Sequence, residues 1–91
     1  MIAAAVLVCS DVVELSGGQM GEIATYLPGR RVTGVRVRSE EVEIHVVGRY
    51  GPTMDQIGDQ IRTAVGPLVA GLPVTIGIDD LVQPAVIALQ R

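Results

Sequence analysis

The chain has 91 residues, of which 48% are hydrophobic, which suffices for one aliphatic core and is too short for two. Its net charge of −3 disfavours non-specific nucleic-acid binding, and all of its basic residues are arginine, so it has no lysine for a phosphate-binding loop. One cysteine excludes an intramolecular disulfide and a cysteine-cluster zinc site, and the sequence predicts neither a cofactor nor a metal ion.

The first element is an apolar run from Ile2 to Cys9, which predicts a helix of about two turns, ended by Ser10 or Asp11. The run is shorter than the ~20 residues that cross a bilayer, and it lacks the basic start of a signal peptide. We therefore expect a cytoplasmic protein without direct membrane insertion, whose membrane association would depend on a partner.

A short strand from Val12 to Leu15 is predicted next, and it leads into the letters LSGGQ at residues 15–19. These letters match the signature loop of ABC-type ATPases, which acts only beside a phosphate-binding loop that contains lysine. Because this chain has no lysine, we interpret the segment as a turn with a positive φ at Gly17 or Gly18.

The following segment, Gly21 to Leu27, is predicted as a second short helix, closed by Pro28-Gly29. Arg30-Arg31 comes next. Together with Arg49-Tyr50, which precedes the main helix, it makes a candidate cationic interaction patch on an acidic chain. Scattered solvated arginines are the alternative interpretation.

A β-hairpin is the clearest pattern in the chain. The segments Val35–Arg38 and Glu41–Val46 alternate apolar with charged residues on either side of Ser39-Glu40. A turn there places apolar residues opposite one another on one face and opposite charges, such as Arg36 and Glu43, on the other. The pattern therefore predicts both the hairpin and its register.

The main helix is predicted to follow Thr53, which with Gln56 makes a T-x-x-Q capping box. Its apolar residues recur at three- and four-residue spacing, and Gly66-Pro67 predicts a kink. A final strand is predicted from Val74 to Ile78, while Pro84 argues against a central strand in the tail. The order α-β-(α)-β-β-α-β predicts a small two-layer α+β domain, with a central β-hairpin and one main amphipathic helix packed on one sheet face.

Few residues are candidates for catalysis. His45 falls by alternation on the charged face of the hairpin, where we expect it to be solvated, and Cys9 lies in the apolar run. Catalysis by this pair would need a pocket that joins them and a third group to orient them. Asp79-Asp80 is interpreted as acid at the end of a strand, because neighbouring strand residues point to opposite faces. The sequence therefore does not predict an enzyme.

The segment Gly48-Arg49-Tyr50-Gly51 matches the GxxG of KH domains, in which a basic loop grips single-stranded nucleic acid. That loop joins two helices, whereas this one is predicted to join a strand to a helix. A single-stranded nucleic-acid-binding module that uses the Gly48–Gly51 loop is the alternative function, and the acidic net charge makes nucleic acid an unlikely partner.

The stretch from the hairpin to the last strand resembles the alkaline shock protein family, the envelope stress response family of Gram-positive bacteria. The features that carry the resemblance are a Gly-Val-x-Val strand, a second strand running into Tyr-Gly, an amphipathic helix and a Gly-Leu-x-Val return to a strand. They lie at Gly34–Val37, Val42–Gly51, Met54–Gly71 and Leu72–Ile78. The segment GEIATYLPGRRVTGVRV resembles the short form found in actinobacteria.

This resemblance implies a non-enzymatic cytoplasmic protein that gathers beneath the membrane, held by a membrane-anchored protein partner, and forms homo-oligomers. Family members usually have a longer charged N-terminal region and a Lys- and Glu-rich helix without a Gly-Pro break, and this chain departs from both patterns. We expect residues 1–91 to form a single alkaline-shock-like domain that acts in envelope homeostasis by self-association and partner docking.

Overall fold

The computed structural model describes residues 2–83, and the predicted α+β class is confirmed. In chain order the elements are α1 (Ile2–Leu7), β1 (Val12–Leu15), β2 (Ala24–Leu27), β3 (Arg30–Thr33), β4 (Val35–Val37), β5 (Val42–Arg49), α2 (Met54–Val65) and β6 (Val74–Val82). A short 3-10 turn, Gly66–Leu68, follows α2.

The central strand of the main sheet is β5. One of its edges pairs antiparallel with β4 along the first half and with β1 along the second half, so these two strands lie end to end. The other edge pairs in parallel with β6, from Val42 opposite Val74 to Arg49 opposite Val82. The sheet is therefore mixed, and within the described chain β6 forms the edge opposite to β1 and β4.

The register that the alternation predicts for β4 and β5 is confirmed. Val37 lies opposite Val42, and Arg36 lies opposite Glu43. Every second residue of β5 is buried, starting with Val42, so its apolar side packs into the core. We call the face of the sheet that α2 covers the inner face, and the face that carries Arg36 and Glu43 the outer face.

The prediction of a second short helix at Gly21–Leu27 is wrong, because its last four residues form β2. This strand pairs antiparallel with β3 as a separate two-stranded sheet, joined by Pro28-Gly29. The glycine has a φ of +78°, as the second central position of a type II turn requires. β-branched and aromatic residues such as Thr25 and Tyr26 favour this extended pairing. We call residues 24–33 the arm.

The arm leaves the main sheet between β1 and β4, which places it at the edge opposite β6. Hydrogen bonds from the arm, including one from Arg31 to the Gly21 carbonyl, and one between the residues that flank the arm tie it to the domain. The Thr25 hydroxyl donates to the Val35 carbonyl at 2.5 Å, and the Gly34 N–H donates to the Ile23 carbonyl at 2.7 Å. Because a lone two-stranded hairpin is marginally stable in water, the arm depends on such contacts with the body.

The apolar stripe of α2 packs on the inner face of the sheet. Ile57, Ile61 and Val65 are fully buried there, in one cluster with Ile44 of β5 and Val6 of α1. Both helices therefore share the core on one side of the sheet, as the predicted two-layer arrangement requires.

The limits of α2 follow from its capping residues and its proline. The Gln56 N–H donates to Thr53 Oγ1 at 3.1 Å and the Thr53 N–H donates to Gln56 Oε1 at 2.8 Å, which confirms the capping box. The α-helix ends at Val65, and the kink predicted at Gly66-Pro67 is a change to 3-10 geometry. The prediction for Pro84 and the tail lies outside the described residues.

Candidate functional site

The structure places the two halves of the predicted cationic patch on different elements. Arg30 and Arg31 begin β3 on the arm, whereas Arg49 ends β5 and Tyr50 follows it. Among residues 2–83, no hydrogen bond or ion pair joins one half to the other.

Arg49 is engaged within the domain. Its Nε donates to Asp11 Oδ1 at 2.7 Å, and the other oxygen of Asp11 accepts from Gln60 Nε2 at 2.6 Å. Only 7% of Asp11 is exposed. The three side chains therefore tie the start of β1 to β5 and α2, which is a structural task for Arg49. We call them the Asp11 clamp.

The two arginines of the arm differ in their surroundings. Arg31 donates from Nε to the Tyr26 hydroxyl at 3.2 Å, from Nη1 to Thr33 Oγ1 at 3.1 Å, and from Nη2 to the Gly21 carbonyl. Its guanidinium also lies 5.7 Å from the centre of the Tyr26 ring. The contacts of Arg31 therefore stabilise the arm. Arg30 is exposed and makes no side-chain hydrogen bond within the described chain.

The Gly48–Gly51 segment joins a strand to a helix, as the sequence predicts. Gly48 and Arg49 still belong to β5, and a Cβ added at Gly48 would lie 2.9 Å from Ile57 Cδ1. The glycine therefore permits close packing of α2 on β5. This geometry gives no support to a nucleic-acid grip of the KH type.

A series of polar contacts crosses the outer face around His45. Nδ1 of His45 lies 2.9 Å from Asp79 Oδ1, and its Nε2 lies 3.2 Å from Glu43 Oε2. At the ends of the series, the Ser16 hydroxyl donates to Asp79 Oδ2 at 2.7 Å and Arg36 Nη2 donates to Glu43 Oε1 at 2.8 Å. We call these five residues the His45 cluster.

Sequence reasoning found this cluster only in part. The alternation places His45 correctly beside Glu43 and Arg36, but its side chain is only 20% exposed, so the expected solvated side chain is wrong. The interpretation of Asp79 as acid at a strand end is also wrong, because β6 continues to Val82. The sequence pattern did not show that Asp79 would meet His45.

Two features of β6 bring Asp79 to the imidazole. Gly77 lies opposite His45, and a Cβ added there would lie 2.6 Å from the ring, so a glycine leaves the space that the ring occupies. The pairing then shifts by one residue between Val46 and Val47, which leaves Asp79 as the extra residue of a bulge. A glycine inside a strand pattern, shortly before an acid, is the sequence signal for this contact.

The hydrogen bonds of the cluster set its charges. Partial burial by itself lowers the pKa of His45, but the hydrogen bonds to Asp79 and Glu43 outweigh it and raise the pKa above 6.5. The hydrogen bond from Arg36, with that from His45, lowers the pKa of Glu43. Burial opposes ionisation of Asp79, yet hydrogen bonds from Ser16 and His45 lower its pKa. The cluster therefore favours an imidazolium held between two carboxylates.

This arrangement differs from a Ser-His-Asp triad, in which a histidine nitrogen accepts a proton from the serine. Here the Ser16 hydroxyl donates to Asp79, and both ring nitrogens of His45 face carboxylates. The cluster therefore links strands by charge and hydrogen bonding. Over residues 2–83, no three His, Cys, Asp or Glu side chains are grouped so that they could hold a metal ion.

The LSGGQ segment forms a turn after β1, as predicted. Gly18 has a φ of +80°, and its N–H donates to Ser16 Oγ at 3.2 Å. Ser16 thus closes its own turn and donates its hydroxyl to Asp79. The glycine is explained by its backbone geometry.

Cys9 and His45 lie on opposite sides of the sheet. The Cys9 thiol is 3.7 Å from the Gln60 carbonyl of α2, whereas His45 lies on the outer face. Burial, with the nearby charge of Asp11, raises the pKa of the Cys9 thiol, which keeps it protonated. The pocket that catalysis by this pair would need is not formed.

An apolar groove of about 310 Å³ lies between α1 and the arm. It is lined by Ile2, Ala3, Thr25, Leu27, Val32, Val35, Val37 and Leu68. Val37 is 54% exposed there, although Val35 on the same strand and Val42 opposite it are buried. The sequence did not predict this groove, because it predicted a helix at Gly21–Leu27, where the structure has β2.

Comparison of the chain with family models, curated proteins and solved structures found no match. None of the helices in residues 2–83 has the length and apolar character needed to cross a bilayer. The resemblance to alkaline shock proteins therefore stays a prediction.

Proposed function

We propose that this chain is a non-enzymatic interaction protein that acts by self-association and by docking to a partner. The observation that supports this proposal is the apolar surface around the arm and α1. Large apolar side chains are exposed at Leu7, Val8, Val13, Met20, Tyr26, Leu27, Val37, Tyr50, Met54 and Leu68. Single exposed apolar residues are ordinary, but three of these, Leu27, Val37 and Leu68, line the apolar groove between α1 and the arm, and an exposed apolar groove is typical of a protein interaction site.

The size of the domain gives a reason for association. A chain of this length buries only about 60–65% of the surface that it exposes when unfolded, so its stability margin is small. Burial of further apolar surface against a second molecule adds about 25 cal/mol for each Å² removed from water. Within residues 2–83, the outer edges of the arm and of β6 have no strand partner, so their backbone groups offer hydrogen bonds to the same second molecule.

The resemblance to envelope stress proteins supplies the biological setting of the proposal. In that setting the protein is cytoplasmic, lies close to the membrane through a membrane-anchored partner, and self-associates in maintaining the envelope. The domain itself does not insert into the bilayer.

Light scattering after size exclusion, from about 10 μM to about 1 mM protein, tests self-association, because mass action shifts a reversible equilibrium towards the oligomer over this range. The average mass is expected to rise with concentration. A strict monomer at the highest concentration, with no association with the membrane fraction of cells, contradicts the proposal.

A further inference from the structure

The tip of the arm combines apolar and cationic side chains. Tyr26 is 73% exposed and the neighbouring Leu27 is exposed as well. Arg30 and Arg31 lie directly across the turn, with Arg31 paired to Tyr26 and Arg30 paired to Leu27 in register. The arm therefore presents a small, positively charged apolar surface on a two-stranded sheet of its own.

A second groove, of about 280 Å³, lies between α2 and β6 at the opposite edge of the sheet. We call it the edge groove. It is lined by Met54, Asp55, Gly58, Asp59, Arg62, Ile76 and Ile78. Arg62 donates to the Val74 carbonyl at 3.2 Å, so its charge is directed to the strand, while Asp55 and Asp59 are exposed on the helix. The edge groove therefore offers carboxylates beside apolar side chains.

The strand beneath the edge groove is only partly covered. Ile76 and Ile78 pair with buried residues of β5 and pack against the core, yet both remain partly exposed. No residue of β6 is buried, whereas every second residue of β5 is. Within residues 2–83, β6 pairs with β5 alone, so its outer edge presents backbone groups to an added strand.

The two surfaces complement each other in charge, in apolar character and in backbone hydrogen bonding. They lie at opposite edges of one sheet, with β5 between them, so the arm of a chain does not reach its own edge groove. Only a second copy brings an arm to this groove. A contact between two different surfaces of identical chains is head-to-tail, and it extends to further copies unless the rotation closes a ring.

We propose that the arm of one copy docks in the edge groove of the next, with Arg30 against Asp55 and Asp59, and with Tyr26 and Leu27 against the apolar side chains of Met54, Ile76 and Ile78. This inference rests on the self-association proposed above and identifies the surfaces that carry it. Pairing of an arm strand with the outer edge of β6 adds backbone hydrogen bonds to the contact.

A charge swap tests this contact. Arg30→Glu reverses the arm, and Asp59→Arg reverses the groove, so either variant alone places like charges across the contact. Each is expected to weaken self-association about tenfold, which is the effect of roughly 1.4 kcal/mol. In an equimolar mixture each reversed surface meets its opposite on the other variant, so association is expected to return to near the wild-type level.

The controls separate folding from docking. Glu40→Arg changes an exposed turn residue of the β4–β5 hairpin that lies on neither surface, and it is expected to associate as the wild type does. Circular dichroism and thermal melts establish that each variant is folded. If Asp59→Arg is unfolded, Asp55→Arg replaces it, since both carboxylates line the edge groove.

The outcomes are distinct. Recovery in the mixture, after loss in each variant alone, supports the arm-to-groove contact. If the variants associate as the wild type does, or if the mixture does not recover, this contact is overturned while the proposed self-association stands. If the wild type is monomeric at every concentration, both the contact and the proposed self-association fail.

Discussion

His45 illustrates how single residues of the outer face act together. Its two ring nitrogens face Asp79 and Glu43, and these carboxylates in turn accept hydrogen bonds from Ser16 and Arg36. The charged groups that surround the imidazole thus come from three different strands, with the Ser16 hydroxyl added from the turn after β1. A change in the charge of the His45 imidazole therefore alters the electrostatic energy of side chains on all three strands.

Replacement of His45 by Gln should reveal a pH-dependent stabilisation. The folded pKa of His45 lies above 6.5, so its stabilising effect is fully present below pH 6.5 and is lost as pH rises through the folded pKa. Two partly exposed ion pairs contribute about 0.5–1 kcal/mol together. Urea unfolding at about pH 5.5 and about pH 9 measures the effect, which should shrink between the two. A difference between wild type and variant that grows towards pH 9 contradicts the prediction.

The stabilisation that the His45 cluster gives to the fold also decreases at acidic pH. The folded pKa values of Asp79 and Glu43 are lowered, so their contribution is present above their ordinary values of 3.8 and 4.5 and is lost as pH falls through the folded values. The His45 cluster therefore stabilises the fold most strongly between about pH 4.5 and about pH 6.5.

Substitution of Gly77 tests whether a glycine is needed to leave room for the His45 imidazole. Gly77→Ala places a methyl group 2.6 Å from the ring, so it is expected to displace His45 and to cost about 1–3 kcal/mol. Gly58→Ala is the matched control, since its methyl group meets only the flexible end of Arg62 at 3.4 Å, and in a helix it should stabilise by about 0.5–1 kcal/mol. Equal effects of the two substitutions on urea unfolding would refute the role of Gly77.

At the scale of secondary structure, the Asp11 clamp fixes the start of β1 against two other elements. The Asp11 N–H donates to Gln60 Oε1 at 3.2 Å, and the Arg49 N–H donates to the Asp11 carbonyl at 3.1 Å, in addition to the side-chain contacts. The clamp therefore holds the α1–β1 junction where it meets both β5 and α2. Among the described residues, the arm is held to the rest of the chain by polar contacts of Thr25 with the Val35 carbonyl and of Arg31 with the Gly21 carbonyl.

Removal of the clamp should destabilise the whole domain. Asp11→Ala leaves Gln60 without its partner carboxylate and frees Arg49, at a cost of about 2–3 kcal/mol. Glu40→Gln, which removes an exposed carboxylate from a turn, is expected to change stability by less than about 0.5 kcal/mol. Urea unfolding compares the two variants, and a cost for Asp11→Ala as small as that of the control contradicts the assigned role.

Because the LSGGQ segment is a turn, we expect nucleotide not to change the thermal stability of the protein. A ligand that binds the folded state at a hundred times its dissociation constant stabilises it by about 2.7 kcal/mol. Because the glycines of LSGGQ serve a turn, millimolar MgATP should leave the melting temperature unchanged. A rise in melting temperature with nucleotide concentration would show that this segment does more than turn the chain.

The two edges of the main sheet carry side chains of opposite charge. The arm with its arginines extends one edge of the sheet, and the other edge carries β6 with the carboxylates of Asp55 and Asp59 nearby. This polarity favours association in a single direction. It is a property of the tertiary structure, since the two surfaces come from segments that are distant in the sequence.

Salt should weaken association of the whole protein. Charges at a solvent-accessible contact are screened within about 8–10 Å at physiological ionic strength and within about 3 Å at 1 M salt. The dissociation constant of the wild type is therefore expected to rise with salt, and the Arg30→Glu variant should show a weaker dependence or the opposite one. Sedimentation analysis at low and high salt measures both, and an equal salt dependence for the two proteins contradicts a charged contact at Arg30.

Local patterns predicted much of the fold. The β4–β5 register, the capping box of α2 and the first strand are set by residues close to one another in the chain, so alternation and capping residues identify them. The segment before Pro28-Gly29 has neither a strong period nor enough length, and there the prediction of a helix failed. Its strand is stabilised by pairing with β3, which its own residues do not specify.

The sequence by itself therefore determined the α+β class, the aliphatic core, the absence of lysine chemistry and the hairpin that carries the charges. Only the tertiary structure decided that β6 pairs in parallel with β5, and that its bulge brings Asp79 to His45. It also decided that Arg49 binds Asp11, and that the arm and the edge groove lie at opposite edges. The physical reason is that these contacts join segments far apart in the chain, so their free energy depends on the packed sheet and not on any local pattern.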